Sequence, residues 1–318
     1  MGRKLSRIFC LSLPPMTRFA NMPRLLIVGC GDVGMRCLPL LRGRWRVAAL
    51  TSSAHRFAEL RAAGATPILG NLDDVVSLKR LSGWANAVLH LAPPQNVGSC
   101  DLRTRNLLRS LAASPPERIV YASTTGVYGD CGGAFFDETR PVAPSTDRAR
   151  RRVDAEAQLR AFGIDSQAAV TILRVPGIYA ANRVGGHPRE RLARGSPVLR
   201  AEDDVYTNHI HADDLARACV LALYRGRPQR VLHVCDDSNL LMGDYFDLAA
   251  DLCGLPRPPR ISRSEAAAQM SPMQLSFMSE SRRLDNRRLK RELGLRLRYP
   301  LPETGLLADV QRRLDVRQ

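Results

Sequence analysis

The chain has 318 residues, of which 45% are hydrophobic and 25% charged, a composition typical of a folded globular protein. No uninterrupted apolar run approaches the ~18 residues that a membrane-spanning helix needs, so a membrane protein is not predicted. The formal net charge is +16, but only three of the 47 basic residues are lysines and the arginines are spread from end to end. We therefore do not predict a nucleic-acid partner, because such a surface needs clustered cations.

The N-terminal segment and the cysteines bear on the cellular location. Residues 1–22 are predicted to be a disordered extension, because their apolar patch over residues 8–13 is too short for a secretion signal and runs into two prolines. The eight cysteines form no C-x-x-C pair, and some, such as Cys219 and Cys235, lie in apolar segments. This pattern predicts a cytoplasmic protein without a disulfide framework or a metal site.

A glycine-rich turn follows the first predicted strand. Residues 25–28 form an apolar run typical of a strand buried on both faces of a parallel sheet, and three glycines follow with G-x-G-x-x-G spacing. The first glycine allows a tight turn, the second leaves room for a pyrophosphate, and the third lets a helix over residues 32–41 pack close to the strand. Because a helix N-terminus binds phosphate, this turn is predicted to bind a dinucleotide. The binding residues predicted here are Gly29, Cys30, Gly31, Asp32, Val33 and Gly34.

Strands and helices alternate along the next hundred residues. The predicted strands cover residues 46–50, 66–69, 87–91 and 118–123, and the predicted helices cover residues 54–63 and 100–113. Alternation of this kind predicts right-handed βαβ crossovers, and therefore an α/β fold with a Rossmann-type, doubly wound parallel sheet.

The end of the second strand bears on the choice of dinucleotide. An Asp or Glu at this place would bind the ribose 2′-hydroxyl of NAD, whereas this chain has Thr51, Ser52 and Ser53, with Arg56 just beyond. Small hydroxyls and a guanidinium suit a 2′-phosphate, so NADP is predicted. The alternative is that Arg56 is a solvated helix residue and that the cofactor is NAD. Further cofactor contacts are predicted at the ends of the third and fourth strands, from Asn71, Leu72, Leu91, Ala92 and Pro93.

Residues 119–130, with the sequence IVYASTTGVYGD, resemble the fifth-strand motif of the extended and atypical short-chain dehydrogenase/reductases, the NAD-dependent epimerase/dehydratase group. Residues 173–179 (LRVPGIY) resemble the group's segment after the sixth strand, and residues 208–216 (NHIHADDLA) resemble a helix start beside its substrate cleft. Residues 286–294 (NRRLKRELG) are similar to its closing helix. The resemblance implies a nicotinamide cofactor, to which Val175 and Pro176 also contribute, and a small C-terminal substrate lobe.

The chain departs from the group at its catalytic pair. Most members carry Tyr-x-x-x-Lys on the helix after the fifth strand, where the tyrosine is the general acid/base and the lysine binds the nicotinamide ribose. This chain has no lysine over residues 80–289. Aligning Glu156 with the group's helix glutamate places Arg148 at the tyrosine position and Arg152 at the lysine position. Arginine stays protonated and cannot exchange a proton as the tyrosine does, so Arg148 is expected to act only as an electrostatic clamp.

The catalytic candidates are Thr124, which the resemblance places at the substrate oxygen, and the two arginines. The acid/base would then be water, the substrate or another residue such as Tyr128 or Tyr179. The alternative for the arginines is that residues 148–152 form the solvated face of a helix. The buried side of that helix would carry Val153, Ala157 and Leu159.

Residues 23–178, joined by 206–235, are predicted to form the dinucleotide-binding domain, and residues 179–205 and 236–318 the substrate lobe. Within the lobe, residues 262–281 are expected to be loops with one short helix. His209 and His211 precede a helix that runs through residues 217–224, and His211 or Asp213 can cap this helix. The two histidines are therefore expected to be structural and not metal ligands.

The leading hypothesis is an NADP-binding, oxidoreductase-like enzyme that acts on a small polar or sugar-derived substrate, as a monomer or homodimer. The alternative is a non-catalytic dinucleotide-binding sensor or partner-binding module.

Overall fold

The computed structural model describes residues 22–270 and 272–315, so the predicted extension lies almost wholly outside the described part. A parallel sheet of seven strands forms its centre. The strands are β1 (Arg24–Val28), β2 (Arg46–Thr51), β3 (Thr66–Leu69), β4 (Ala87–His90), β5 (Arg118–Thr124), β6 (Ala169–Val175) and β7 (Arg230–His233). Their spatial order is β3-β2-β1-β4-β5-β6-β7. This is the Rossmann order extended by one strand, and it confirms the predicted fold class.

Eleven helices belong to the described part of the chain. They are α1 (Asp32–Leu41), α2 (Phe57–Ala62), α3 (Leu102–Leu111), α4 (Asp147–Ser166), α5 (Arg189–Ala193), α6 (Ala212–Arg225), α7 (Met242–Cys253), α8 (Arg263–Gln269), α9 (Pro272–Met278), α10 (Arg287–Glu292) and α11 (Pro302–Asp315). None of those within residues 22–270 and 272–315 is long and apolar enough to cross a membrane.

The first strand shows how the sheet separates two apolar layers. Leu25 and Ile27 pack into the cluster that holds α1 and α6, whereas Leu26 and Val28 pack into the cluster that holds α3 and α4. All four side chains are fully buried. Successive residues of a strand point to opposite faces, so a continuous apolar run is what a sheet covered on both faces requires.

The smaller lobe has a core of its own. Short strands Val198–Leu199 and Arg260–Ile261 pair with each other, and Leu192, Phe246 and Leu306 pack with them in one apolar cluster. The remaining short strand pairs are Phe135–Phe136 with Arg283–Leu284, Gly177–Tyr179 with His209–His211, and Tyr206–Thr207 with Leu240–Leu241.

The domain boundaries stay a prediction. Within the segment predicted as the substrate lobe, α10 packs against a different apolar cluster from the small-lobe core. Leu289 on α10, with Leu293 and Leu295 after it, belongs to the apolar cluster on the α1 and α6 side of the sheet. The segment predicted as the closing helix therefore supports the nucleotide-binding core, and α11 follows it.

Several local predictions were wrong. Residues 173–175 lie inside β6 and do not follow it, and residues 262–281 contain two helices, not one. A capping box between Ser262 and Glu265 begins α8, and α9 begins at a proline, a residue favoured at the first helical position.

The buried side of α4 also differs from the prediction. Ala157 is exposed and Val153 only half-buried, while Arg151 and Glu156 are buried. Glu156 is drawn inward because it pairs with Arg174, both side chains being nearly inaccessible. The spacing of apolar residues does not reveal such a polar partner, and the burial of Glu156 could therefore not be predicted from it.

Candidate cofactor and substrate site

The three glycines after β1 each meet a different constraint. Gly29 has φ +85°, and a Cβ there would lie 2.5 Å from the backbone nitrogen of Ala92, so a side chain is excluded by both conformation and space. A Cβ on Gly31 would meet nothing within 4 Å. A Cβ on Gly34 would lie 3.1 Å from the Cys30 Sγ, so this glycine lets α1 pack against the turn, not against the strand as predicted. The turn therefore keeps open space at Gly31, where a pyrophosphate would need it.

A first cavity of about 410 Å³ opens at this turn, along the carboxyl ends of β1, β2 and β4. Eleven of the predicted cofactor residues line it: Gly29, Cys30, Gly31, Thr51, Ser52, Arg56, Asn71, Leu72, Leu91, Ala92 and Pro93. Ser53 and Arg103 line it as well. Parallel strands end at one edge of a sheet, which explains how residues from separate segments converge.

The remaining predicted residues of the turn lie in the first turn of α1. Asp32 accepts hydrogen bonds from Arg36 at 3.1 Å and from Arg183 at 2.5 Å, and Arg36 also donates to Asp213 at 2.6 Å. These ion pairs neutralise the acidic group beside the glycine turn and tie α1 to α6 and to the segment after Gly177–Tyr179. Val33 is half-buried on the same helix.

Arg56 is held at the rim of the first cavity. Its Nη1 donates to the Cys30 carbonyl at 2.8 Å, and its Nε and Nη2 donate to the two Glu59 carboxylate oxygens at 2.9 and 3.0 Å. The hydrogen bonds from Arg56 lower the pKa of Glu59. The guanidinium is thus oriented across the turn, and it is not a freely solvated side chain.

A second cavity of about 370 Å³ lies beyond the end of β5. Thr124, Arg148, Arg152 and Pro176 line it, and Pro93 lines both cavities, so the two adjoin. Val175 is buried behind it in β6. Arg151 and Asn208, from the arginine-rich helix start and the predicted cleft segment, line it too. Residues that the sequence did not suggest also line it: Gln95, Asn96, Tyr206, Thr207, Met242, Glu280 and Arg282.

The second cavity is strongly cationic. Four arginines and one glutamate line it, and Arg282 pairs with Glu280 at 2.8 Å. Three of the arginines belong to the first two turns of α4, where Arg148 is exposed, Arg152 half-buried and Arg151 buried. The idea that these residues form only a solvated face is therefore wrong for Arg151 and Arg152. A cavity with this charge favours a small anionic ligand.

Arg152 is anchored to the neighbouring strand. Its Nη1 donates to the Tyr121 hydroxyl and to the Ala122 carbonyl, both at 2.9 Å. This places a cation on the cavity wall one helical turn from Arg148, as the alignment with the Tyr-x-x-x-Lys positions predicts.

The tyrosines considered as replacement acid/base groups are buried. Tyr128 is 1% exposed, and its hydroxyl is bonded to His233 at 2.6 Å and to Arg174 at 2.7 Å. Burial raises the pKa of Tyr128 to about 12. Tyr179 is 2% exposed, within the small-lobe core. Neither lines the two cavities, whereas Tyr206 lines the second.

The two histidines before α6 have structural surroundings. His211 Nδ1 accepts from the Asp213 backbone nitrogen at 3.1 Å and caps the helix, and His209 stacks on Tyr245 with ring centroids 3.9 Å apart. Burial lowers the pKa of His209 to about 3. Within residues 22–270 and 272–315, no three His, Cys, Asp or Glu side chains are grouped so that they could hold a metal ion.

The Rossmann sheet, the glycine turn and the polar cavity beside Thr124 define a nucleotide-binding α/β protein of the dehydrogenase type. The model of the NAD dependent epimerase/dehydratase family matches residues 25–235. The chain belongs to this family.

Three known proteins show how far the similarity extends. The chain is 26% identical to protein YeeZ of Escherichia coli K12, over 88% of this chain and 98% of that protein. A conserved protein of unknown function from Silicibacter pomeroyi is 31% identical, with a TM-score of 0.77 over 92% of this chain and 99% of its own. The UDP-glucose 4-epimerase of Thermotoga maritima, solved with UDP-glucose, is 19% identical with a TM-score of 0.75, over 93% of this chain and 100% of its own. This last likeness concerns the fold alone.

Proposed function

We propose that this protein binds a nicotinamide dinucleotide, NADP(H) in preference to NAD(H), along the carboxyl edge of the sheet. The observation that carries the proposal is the junction of the two cavities at Pro93. The adenosine half would occupy the first cavity, its pyrophosphate beside the open space at Gly31, and the nicotinamide half would reach the second. The oriented Arg56 guanidinium and the hydroxyls of Thr51 and Ser52 favour a 2′-phosphate.

The substrate would occupy the cationic second cavity beside the nicotinamide. Its arginines and its amide and hydroxyl side chains suit a small, polar, negatively charged compound. A sugar-derived substrate with a phosphate or carboxylate group meets these requirements. The UDP-glucose of the structurally similar T. maritima enzyme is a compound of this kind.

The cofactor would supply the hydride chemistry, and the side chains of this protein would orient and polarise the substrate. In this proposal Thr124 would hydrogen-bond a substrate oxygen, and Arg148 and Arg152 would stabilise negative charge on it; the support is that all three line the second cavity. Neither arginine can give up a proton. Tyr206 in the same cavity, water or the substrate itself would therefore supply the proton transfer.

The second candidate function is dinucleotide binding without turnover, as a sensor or a partner-binding module. Arg148 in the place of the family tyrosine, and the burial of Tyr128 and Tyr179, favour it. Product formation distinguishes the two candidates: an enzyme converts a sugar nucleotide into a new compound, detected by chromatography with or without a net change of nicotinamide absorbance, whereas a sensor leaves both the sugar nucleotide and the nicotinamide unchanged.

Calorimetric titration of the full chain with NADPH and with NADH tests the cofactor assignment. We expect NADPH to bind at least about tenfold more tightly, a difference of about 1.4 kcal/mol. A tenfold preference for NADH would contradict the assignment of Arg56. Binding of neither nucleotide would overturn the proposed function.

A further inference from the structure

Arg152 uses only part of its hydrogen-bonding capacity on the protein. A guanidinium carries five N–H donors, and the two on Nη1 go to the Tyr121 hydroxyl and the Ala122 carbonyl. Among the described residues, no hydrogen bond joins Nε or Nη2 to the protein. Because the side chain lines the second cavity, the remaining three donors are available to a ligand there.

Tyr121 is placed to hold this arginine and not to touch a ligand. Its side chain is fully buried in β5 and lines neither cavity. Its hydroxyl accepts the Arg152 hydrogen bond, and the Arg152 Cζ lies 5.6 Å from the centre of its ring. Burial raises the pKa of Tyr121 to about 12, so the phenol is neutral at pH 7 while it accepts this bond.

A buried polar chain that begins at His90 also packs against the Tyr121 ring. The His90 ring lies 5.0 Å away, centroid to centroid. Its Nε2 is 2.9 Å from the Thr104 hydroxyl, which itself donates to Asp101 at 2.7 Å. Because that hydroxyl is used as a donor, His90 must carry its proton on Nε2. Burial lowers the pKa of His90 to about 3, so a neutral, rigid ring backs the tyrosine.

We propose that Tyr121 is a positioning residue: it holds the Arg152 guanidinium against β5, so that the remaining N–H groups of Arg152 meet the nicotinamide ribose. The inference rests on the proposed function. In the family pair a lysine acts on a tyrosine that faces the substrate. In this chain the roles are exchanged: the Arg152 cation lines the cavity, and the Tyr121 phenol, which lines neither cavity, orients it.

The chain contains a matched control. Tyr128 is another buried tyrosine that accepts a hydrogen bond from an arginine, Arg174, at 2.7 Å. Arg174 directs its other donors to Glu156, at 3.1 and 2.6 Å, in a nearly inaccessible ion pair. The substitution Tyr128→Phe therefore removes the same kind of bond from an arginine that lines neither of the two cavities.

The test compares two ligands by calorimetry: NADPH, and 2′,5′-ADP, which lacks the nicotinamide ribose. We expect Tyr121→Phe to weaken NADPH binding about five- to tenfold, the scale of the net contribution of one ordinary hydrogen bond, and to leave 2′,5′-ADP binding within about twofold. Tyr128→Phe should leave both affinities within about twofold. In an Arg152→Ala background, Tyr121→Phe should have no further effect on NADPH binding, because the tyrosine acts through the arginine.

Three results would overturn the inference while the proposed function stands. One is a Tyr121→Phe variant in which the ratio of the NADPH and 2′,5′-ADP affinities is unchanged, whether both affinities stay the same or both fall by the same factor. Another is the same change of ratio in Tyr128→Phe. The third is an undiminished effect of Tyr121→Phe in the Arg152→Ala background. If the wild-type protein bound neither ligand, the proposed function itself would fail, and the inference with it.

Discussion

Replacing Gly31 with valine separates cofactor binding from folding. Gly31 is the N-cap of α1 with φ −82° and ψ −151°, an extended conformation with negative φ. A Cβ there would meet no protein atom within 4 Å. Valine is a poorer N-cap than glycine, so we expect a loss of stability of about 1 kcal/mol. For a chain of this size that corresponds to a fall in melting temperature of about 1–2 °C.

The same side chain would fill the space assigned to the pyrophosphate. We expect Gly31→Val to weaken NADPH binding at least about a hundredfold, or roughly 2.7 kcal/mol, measured by calorimetry on protein whose fold is checked by circular dichroism. Gly29→Ala is the contrasting control. Its Cβ would lie 2.5 Å from the Ala92 nitrogen at φ +85°, so it should cost about 2 kcal/mol or more of stability. If Gly31→Val bound NADPH within about threefold of the wild type, the pyrophosphate would not sit on this turn.

The other predictions concern single side chains. Arg152→Ala should weaken NADPH binding by about 1–3 kcal/mol, whereas Arg148→Ala should leave it nearly unchanged; equal losses in the two titrations would contradict the assignment. Arg56→Ala should lower the affinity for NADPH about tenfold while NADH binding stays within about twofold, and an equal loss for both would show that Arg56 does not read the 2′-phosphate. Burial raises the pKa of Asp236 to about 7, above the value of about 3.9 in an unfolded chain. The contribution of Asp236 to the stability of the fold is therefore complete below about pH 4, and it is lost as the pH rises through about 7. Asp236→Asn should therefore gain in melting temperature relative to the wild type between pH 5 and pH 8, and a constant difference would refute the shift.

The fold and the first cavity could be predicted because their signals are local. The apolar run over residues 25–28 and the glycine spacing each lie within a few residues of chain. Parallel strands bring their carboxyl ends to one edge, so Thr51, Asn71 and Ala92 could be assigned to one site from strand ends alone. These three residues line the first cavity together.

The second cavity could be predicted only in part, because its walls come from distant segments. Tyr206, Glu280 and Arg282 reach it through the packing of the small lobe, and no spacing in the sequence joins them to Thr124. One missed residue did carry a signal. Tyr121 stands in the predicted fifth strand, and a phenol that a central strand buries needs a hydrogen-bond partner. That requirement points to a polar group on the neighbouring helix, which is where Arg152 lies.

A crystal structure of the protein with NADPH tests the central claim most directly. We expect the pyrophosphate beside Gly31, the 2′-phosphate at Arg56, and the nicotinamide ribose within hydrogen-bond distance of Arg152, next to Thr124. Two results would contradict this claim. One is a nicotinamide that lies outside the second cavity, and the other is an Arg152 side chain that has turned away from Tyr121 into bulk solvent.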